Sequence, residues 1–303
     1  LDLSVCIVNW NTRPDLERAL ASLEAACPGL EYEVIVVDHG SRDRSVEMVR
    51  ARFPSVRLIC NERNLGFAAG NNQALAQARG DFLLLLNPDT VCQPGALAAL
   101  VAFMRTHPRC AGAGAKLLNG DGTLQYSCRR FPRMMAGLFR KSPLGRWLPE
   151  NRWNRQYLMS DWDHAEARQV DWVSGAALCL RREALKDVGM LDEGYFMYCE
   201  DVDWCWRARM HRWEIWYVPE AVITHYIGHT SDRRPYAMTL QFHRSMHRFY
   251  WKHYSVQYKW PWRLLPPVGI ALRCLVVLTD NMLARLRGRL FLLIHPGAGR
   301  RHG

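Results

Sequence analysis

The sequence predicts an α/β fold: a mostly parallel sheet with helices on both faces, then a basic, helical, amphipathic C-terminal extension. Three observations predict it. Short apolar runs rich in β-branched residues alternate with segments of helical period through the first hundred residues. Each run ends in polar or acidic residues. The charge is also divided: from Arg233 onward there are 13 Lys and Arg against one acid, Asp280, whereas the remaining 27 basic and 28 acidic residues nearly cancel.

"LSVCIV" (3–8) is the first strand. "RPDLERALASLEAA" follows as a helix with Leu16, Ala19, Leu20 and Leu23 on one face and Thr12 and Pro14 near its start. "YEVIVVD" and "RSVEMVRARF" repeat the pattern, then "VRLIC" and "FAAGNNQALAQA", then "DFLLLL". Successive strands joined by helices of this length imply a parallel sheet, and such sheets bind ligands beyond the carboxyl ends of their strands. Here those ends read Asn9-Trp10-Asn11, Asp38-His39-Gly40-Ser41, Asn61 to Asn64 and Asn87-Pro88-Asp89-Thr90. Singly these are turn residues; four converging on one crevice make a site. No G-x-G-x-x-G follows the first strand and no phosphate-loop motif occurs, which argues against a dinucleotide dehydrogenase and a P-loop ATPase.

"WVSGAALCLRREAL" reads as a strand running into a helix, with Ser174-Gly175-Ala176 small enough for a ligand to approach the backbone. "GYFMYCEDVDWCWRAR" (194–209) sets Glu200, Asp201 and Asp203 among Tyr195, Phe196, Tyr198, Trp204 and Trp206. Carboxylates among rings require a partner or a chemical use. Val202, Cys205, Trp206 and Met210 recur at helical spacing, so Glu200 and Asp201 open a helix, and Asp203 faces Arg207 four residues on. The helix dipole there favours an ionised Asp201. Residues 129–168 lack periodicity and read as a mobile insertion. Beyond Tyr254, Pro266, Pro267, Arg273 and Asp280 interrupt the apolar run, which argues against a spanning helix. Arg273, Asp280 and Arg287 form a narrow polar stripe that, with Trp260 and Trp262, suits the plane of an anionic membrane surface. A helix packed on the body, or a subunit contact, is the other reading. The ten scattered cysteines form no C-x-x-C pair and read as reduced, mostly buried thiols of a cytosolic protein. No signal peptide is visible.

The series "VNWN", "VVDHGSRDRS", "NLGFAAGNNQAL", "LLLLNPDT", "WVSGAALCLRREAL", "FMYCEDVDWCWRAR" and "THYIGHTS" resembles inverting family 2 glycosyltransferases of the GT-A (Rossmann-like) fold. It is most similar to their bacterial rhamnosyltransferase-like branch, which "SMHRFYWKHY" (245–254) also resembles. The likeness runs from Leu3 to about Tyr254; one departure is His39, where the family usually has Asn. The resemblance implies transfer of a sugar, L-rhamnose by the branch, from a dTDP- or UDP-sugar donor. The implied acceptor is a hydroxyl of a lipid-linked or polysaccharide saccharide in cell-surface glycan synthesis.

It further implies that Val8, Asn9, Trp10, Asn11, Asp38, Arg63, Asn64, Gly70, Asn87 and Pro88 line the donor. Trp10 would stack on a pyrimidine, or else be a half-buried core ring, and Asp38 would accept the base N3–H. Asp89 answers to the last acid of the D-x-D motif and, with His225, would hold Mg²⁺ or Mn²⁺; the bland reading of His225 is a polar cap. Asp201 answers to the general base, with Glu200 beside it. Trp172, Ser174, Gly175 and Tyr198 fall on the acceptor side, with Asp171 near sugar hydroxyls. The expected organisation is a GT-A domain over 1–232, its nucleotide-sugar half 1–110 and its acceptor half 111–232, with the extension 233–303 at the inner face of the cell membrane. Two rivals are a non-catalytic carbohydrate-binding scaffold and a nucleic-acid-binding protein; the second leaves Asp38, Asp89 and Asp201 without a purpose, and nucleic acid is not expected as a partner.

Overall fold

The computed structural model of the protein describes residues 1–132, 151–226 and 235–294. Four parallel strands open the chain: β1 (Leu3–Asn9), β2 (Tyr32–Asp38), β3 (Arg57–Cys60) and β4 (Phe82–Leu86). They are joined by α1 (Arg13–Ala26), α2 (Ser45–Arg52) and α3 (Phe67–Gln77), as the periodicity predicts. Register aligns their carboxyl ends: Asn9 pairs with Asp38, and Asp38 with Cys60. β4 carries Leu83, Leu84, Leu85 and Leu86 fully inside because helices cover both sheet faces.

After β4 come β5 (Thr90–Cys92), α4 (Ala96–Thr106), β6 (Cys110–Leu118) and the short strands β7 (Leu124–Gln125) and β8 (Cys128–Arg129). Then follow α5 (Arg152–Leu158), β9 (Arg168–Val170), β10 (Trp172–Val173), β11 (Ala177–Arg181), α6 (Arg182–Val188), α7 (Glu200–Met210) and β12 (Glu214–His225). The main sheet has the order β3-β2-β1-β4-β11-β6-β12-β5, with β7 beside β6 and β9 beside β12; β8 and β10 form a separate pair. "WVSGAALCLRREAL" is therefore two strands in two sheets, broken at Ser174-Gly175-Ala176. β11 runs against β4, with Ala177 beside Leu86, so the break lies at the carboxyl edge of the parallel strands. β12 runs against β5, with His225 beside Thr90, one residue from Asp89.

Of the expected insertion over 129–168, residues 133–150 lie outside the described residues. Over the rest, the irregular reading gives way to structure: the Asn151 side chain caps α5 by accepting from the Asn154 N–H at 2.9 Å, and Tyr157 and Met159 are buried. At the C-terminus α8 (Pro235–His253) and α9 (Leu265–Ile294) are joined by two short 3₁₀ turns. Pro266 and Pro267 do not interrupt α9, because they fall in its first turn, where no intrahelical N–H bond is lost. Residues Trp262–Leu283 are apolar enough, by length and composition alone, to cross a membrane; the prolines do not shorten that stretch, while Arg273 and Asp280 remain within it. Arg273 Nη1 lies 3.5 Å from His243 Nε2 and 3.3 Å from Met246 Sδ, and Asn281 Nδ2 3.5 Å from Thr239 Oγ1. The polar side of α9 thus faces α8, whereas Leu265, Val268, Leu272, Leu275 and Leu286 are exposed. Arg287, the third member of the expected stripe, has no described side chain. Among the described residues the cysteines are all free thiols, most of them buried, and burial pushes that of Cys6 up to about 12.

Gly66, at the start of α3, has φ 95° and ψ 164°, a region open only to glycine, and a β-carbon there would lie 2.5 Å from the Phe196 carbonyl oxygen. Gly66→Ala is expected to lower stability by about 1–3 kcal/mol in urea unfolding. Gly29→Ala, also at positive φ but facing open space, is expected to cost less; equal midpoints would contradict the close approach.

Candidate active site

The ends of β1 and β2 are tied by side chains. Asn9 donates from Nδ2 to Asp38 Oδ2 at 2.7 Å and to Ser41 Oγ at 3.2 Å, and its Oδ1 accepts from Thr12 Oγ1 at 2.6 Å. The Ser41 N–H donates to Asp38 Oδ1 at 2.9 Å. Asp38 is buried and fixed, and each of its oxygens keeps a further lone pair. Asn9 is fully buried, so it positions Asp38 rather than touching a ligand. Asn11, in the left-handed region at φ 55°, accepts from the Arg42 N–H at 2.7 Å. Trp10 is half-buried at the rim and Arg63 is exposed.

His39 is buried, with Nδ1 3.0 Å from Asn64 Oδ1, and Asn64 Oδ1 also accepts from the Gly66 N–H at 2.9 Å. Burial lowers the pKa of His39 and keeps its ring neutral. A β-carbon on Gly70 would lie 2.7 Å from His39 Nε2 and 2.9 Å from the Val8 methyls, so Gly70 allows α3 to pack closely on the end of β1 and on His39.

A second group surrounds Asp89. His225 Nδ1 lies 2.7 Å from Gln125 Oε1, which fixes the ring proton on Nδ1. The Nε2 lone pair is then turned toward Asp89 Oδ1 at 3.2 Å and the Asn87 amide at 3.3 Å. Asp89 Oδ1 is buried without a hydrogen-bond partner. Two electron-pair donors facing each other fit a cation between them, and Gln125 orients the histidine as an outer partner does at a metal centre. Among the described residues no three His, Cys, Asp or Glu side chains gather. A divalent ion would therefore rest on two protein ligands, with its other positions open to substrate oxygens and water. Pro88, half-buried, lies between Asn87 and Asp89. His229, the other histidine of "THYIGHTS", lies outside the described residues.

The broken strand connects this group to the acids of α7. The Asn87 N–H donates to the Ala176 carbonyl at 2.9 Å, and the Gly175 N–H donates to Asp201 Oδ2 at 2.9 Å. Asp201 Oδ1 accepts from the Val202 N–H at 2.8 Å. Ser174 is half-buried in the same turn, its N–H on the Ser127 carbonyl at 2.8 Å. Burial outweighs the two N–H bonds and the positive charge of Arg129 and raises the Asp201 pKa, where the helix start alone would have lowered it. Glu200, buried with Oε2 unpartnered, is raised further by burial and by the neighbouring Asp201 charge. Asp203 goes the other way. It is fully buried and held well below the carboxylate range by hydrogen bonds from His253, Lys252 and Arg207, the expected partner, at 2.9 Å.

The aromatics and the remaining acceptor-side residues divide. Tyr195 and Trp204 are fully buried, and Trp206 packs against Phe131, Phe249 and Tyr254, so these rings build the core instead of offering faces to a sugar. Trp172 is 5% exposed, with Arg129 over its ring and its indole N–H on the Arg130 carbonyl at 2.9 Å; it presents no platform to an acceptor. Asp171 is engaged by Arg209 at 2.7 Å and by the Phe131 N–H at 2.8 Å rather than left for a sugar. Tyr198 and Phe196 are accessible, Tyr198 set edge-on to Phe242. Sequence reasoning missed Gln125, Arg129 and Phe67, whose ring lies against Gly175. No local pattern marks them, since each acts through pairing that only the folded sheet creates.

The family model for glycosyl transferase family 2 matches residues 4–189. The chain belongs to that family. It is 32% identical over 302 residues to the N-acetylglucosaminyl-diphospho-decaprenol L-rhamnosyltransferase of Mycobacterium tuberculosis, covering 96% of this chain and 97% of the relative. It is 27% identical to the Escherichia coli rhamnosyltransferase WbbL, over 59% of this chain and 67% of that one. Among solved structures, a Pyrobaculum calidifontis mannosyltransferase with GDP-Man and Mn²⁺ superposes with a TM-score of 0.55 at 16% identity, covering 97% of this chain and 81% of that one. GalNAc-T7 with UDP, GalNAc and Mn²⁺ gives 0.56 at 18% identity, over 75% of this chain but only 44% of that one. The fold is thus GT-A, the chain is a glycosyltransferase, and the scaffold reading is set aside.

A base whose pKa is raised loses its ionised form as pH falls through that raised value. The acid limb of the family 2 enzyme's kcat profile is accordingly expected above the ordinary carboxylate range. Asp201→Asn is expected to lower kcat by about 10²–10⁴-fold with donor binding retained. A limb at the ordinary carboxylate pKa, or an active Asn variant, would remove Asp201 from the role.

Proposed function

We propose that the enzyme moves L-rhamnose from a thymidine or uridine diphosphate donor to a hydroxyl of a lipid-linked saccharide, inverting the anomeric carbon in one displacement. The observation that carries the mechanism is the link Asp201–Gly175–Ala176–Asn87, which ties a carboxylate of raised pKa to the strand end bearing Asp89. The activity named for the mycobacterial relative, transfer of L-rhamnose to N-acetylglucosaminyl-diphospho-decaprenol, supports the sugar and the acceptor class.

In this reading Trp10 stacks on the pyrimidine and Asp38 accepts its N3–H, a contact that favours uracil or thymine over cytosine. Asn11, Arg63, Asn64, Asn87 and Pro88 border the diphosphate and sugar. Asp89 and His225 would hold Mg²⁺ or Mn²⁺, which when bound offsets the negative charge developing on the leaving diphosphate. Asp201 accepts the proton of the acceptor hydroxyl as its oxygen attacks the anomeric carbon opposite the diphosphate, so no covalent enzyme intermediate forms. Two N–H bonds, from Gly175 and Val202, keep its carboxylate aimed. Glu200, kept neutral, leaves Asp201 as the ionised member of the pair. Ser174, Gly175 and Tyr198 border the acceptor.

Residues 1–232 form the transferase domain in this proposal, with halves 1–110 and 111–232, and 233–303 the extension that places it at the cytoplasmic face of the membrane. The exposed leucines and valine of α9, together with Trp260 and Trp262, support attachment. The α8–α9 seam supports a helix lying in the interface plane, since α8 is fastened to the water-soluble body.

Two measurements test this. Stabilisation against heat by dTDP or UDP is expected to require Mn²⁺ and to vanish in Asp89→Ala; no shift with any nucleoside diphosphate in folded protein would overturn the donor site. The full chain is expected to co-sediment with phosphatidylglycerol-containing vesicles, and Leu272→Asp/Leu275→Asp to abolish this. Full binding by that variant would reject α9 as the attachment.

A further inference from the structure

We infer that α8 belongs to the catalytic apparatus: Lys252, His253 and Ser245 are positioning residues that hold the helix start carrying Glu200 and Asp201. The inference rests on the reading of Asp201 as the base.

Asp203 lies two residues beyond Asp201 and is wholly buried. Within its own segment it receives the Tyr195 hydroxyl at 3.2 Å and Arg207 Nε at 2.9 Å. From α8 it receives Lys252 Nζ at 2.8 Å and His253 Nε2 at 2.7 Å. A carboxylate in such a place stays ionised only while its partners remain, and removing one leaves uncompensated charge in the interior.

The chain just before Asp201 is also unusual. Tyr198 and Cys199 both have φ 69°, two consecutive left-handed residues with side chains. Conformations of that kind persist where surrounding contacts over-determine them. Several of those contacts come from α8. Ser245 Oγ donates to the Met197 carbonyl at 2.8 Å, and Phe242 meets Tyr198 edge-on. Arg248 and Lys252 clasp Asp192 at 3.0 and 2.7 Å. Arg248 also lies over Gly194 so closely that any side chain there would overlap its guanidinium. Residues 192–203 are therefore fastened to α8 at both ends and in the middle. Asp38, Asn87, Asp89 and His225, at the ends of β2, β4 and β12, make none of these contacts; the donor side meets the segment only through the start of α3, where the Phe67 N–H donates to the Phe196 carbonyl, so loosening α8 should disturb the base far more than donor binding.

The test compares Lys252→Met, Ser245→Ala and the Lys252→Met/Asp203→Asn double variant with the full-length wild type, and uses Lys259→Met as a control. Lys252→Met is expected to lower kcat at least tenfold with the donor KM within twofold, and to speed amide exchange over residues 196–203. The double variant should recover part of both, because a neutral amide no longer needs the cation. Ser245→Ala removes one hydrogen bond without stranding a charge; it serves if Lys252→Met does not fold, and should show the same split in smaller measure. The control should match wild type. Unchanged kcat and exchange in folded Lys252→Met or Ser245→Ala, or a parallel loss of donor binding, would overturn the inference. A wild-type chain inactive with every sugar nucleotide would instead overturn the functional reading, and the exchange data would still decide whether α8 holds the segment.

Discussion

The site depends on one strand running the wrong way. β11 lies between β4 and β6 antiparallel to both, so the turn that precedes it lands at the same edge where the parallel strands end. A parallel β11 would carry Ser174-Gly175-Ala176 to the far edge and separate the acids of α7 from Asp89. With β11 reversed, backbone alone suffices to connect them, through two N–H bonds of 2.9 Å. The same logic governs β12, whose antiparallel pairing with β5 sets His225 beside Asp89 although 136 positions separate them in sequence.

Three acids within four positions of one helix meet three different fates, and the cause in each case is what surrounds them. Glu200 is buried without a counter-charge and is driven toward its neutral form. Asp203 is buried more completely, yet three basic side chains and a tyrosine hydroxyl keep it ionised. Asp201, partly open and held by peptide N–H groups, lies between the two extremes. Pairs of like groups pushed apart in pKa mark acid–base chemistry, because they allow one carboxylate to be ready while its neighbour is silent.

Much of this was legible in the sequence, for identifiable reasons. The four opening strands and the helices between them follow from local periodicity, and the polar strand ends followed once parallel pairing was inferred. The Asp203–Arg207 pair was legible because four-residue spacing is a helix property. The burial of Trp172 and Trp206 was not, since an aromatic residue looks the same in sequence whether its faces meet ligand or protein. The two-sheet break in "WVSGAALCLRREAL" was hidden because a three-residue turn of small side chains also reads as a flexible strand. Prolines 266 and 267 misled for the opposite reason: a residue that ends helices also begins them, and only the position of the helix start distinguishes the two uses.

The seam between α8 and α9 bears on how such an enzyme finds a partner. α8 grips the segment that carries the proposed base, and α9 turns its apolar face outward from α8. If, as proposed, that face lies on a bilayer, the catalytic edge would travel with the surface, and the encounter with a lipid-borne saccharide would become a search in two dimensions. Turnover would then scale with how densely the acceptor populates the membrane, and hardly at all with the volume of water around it.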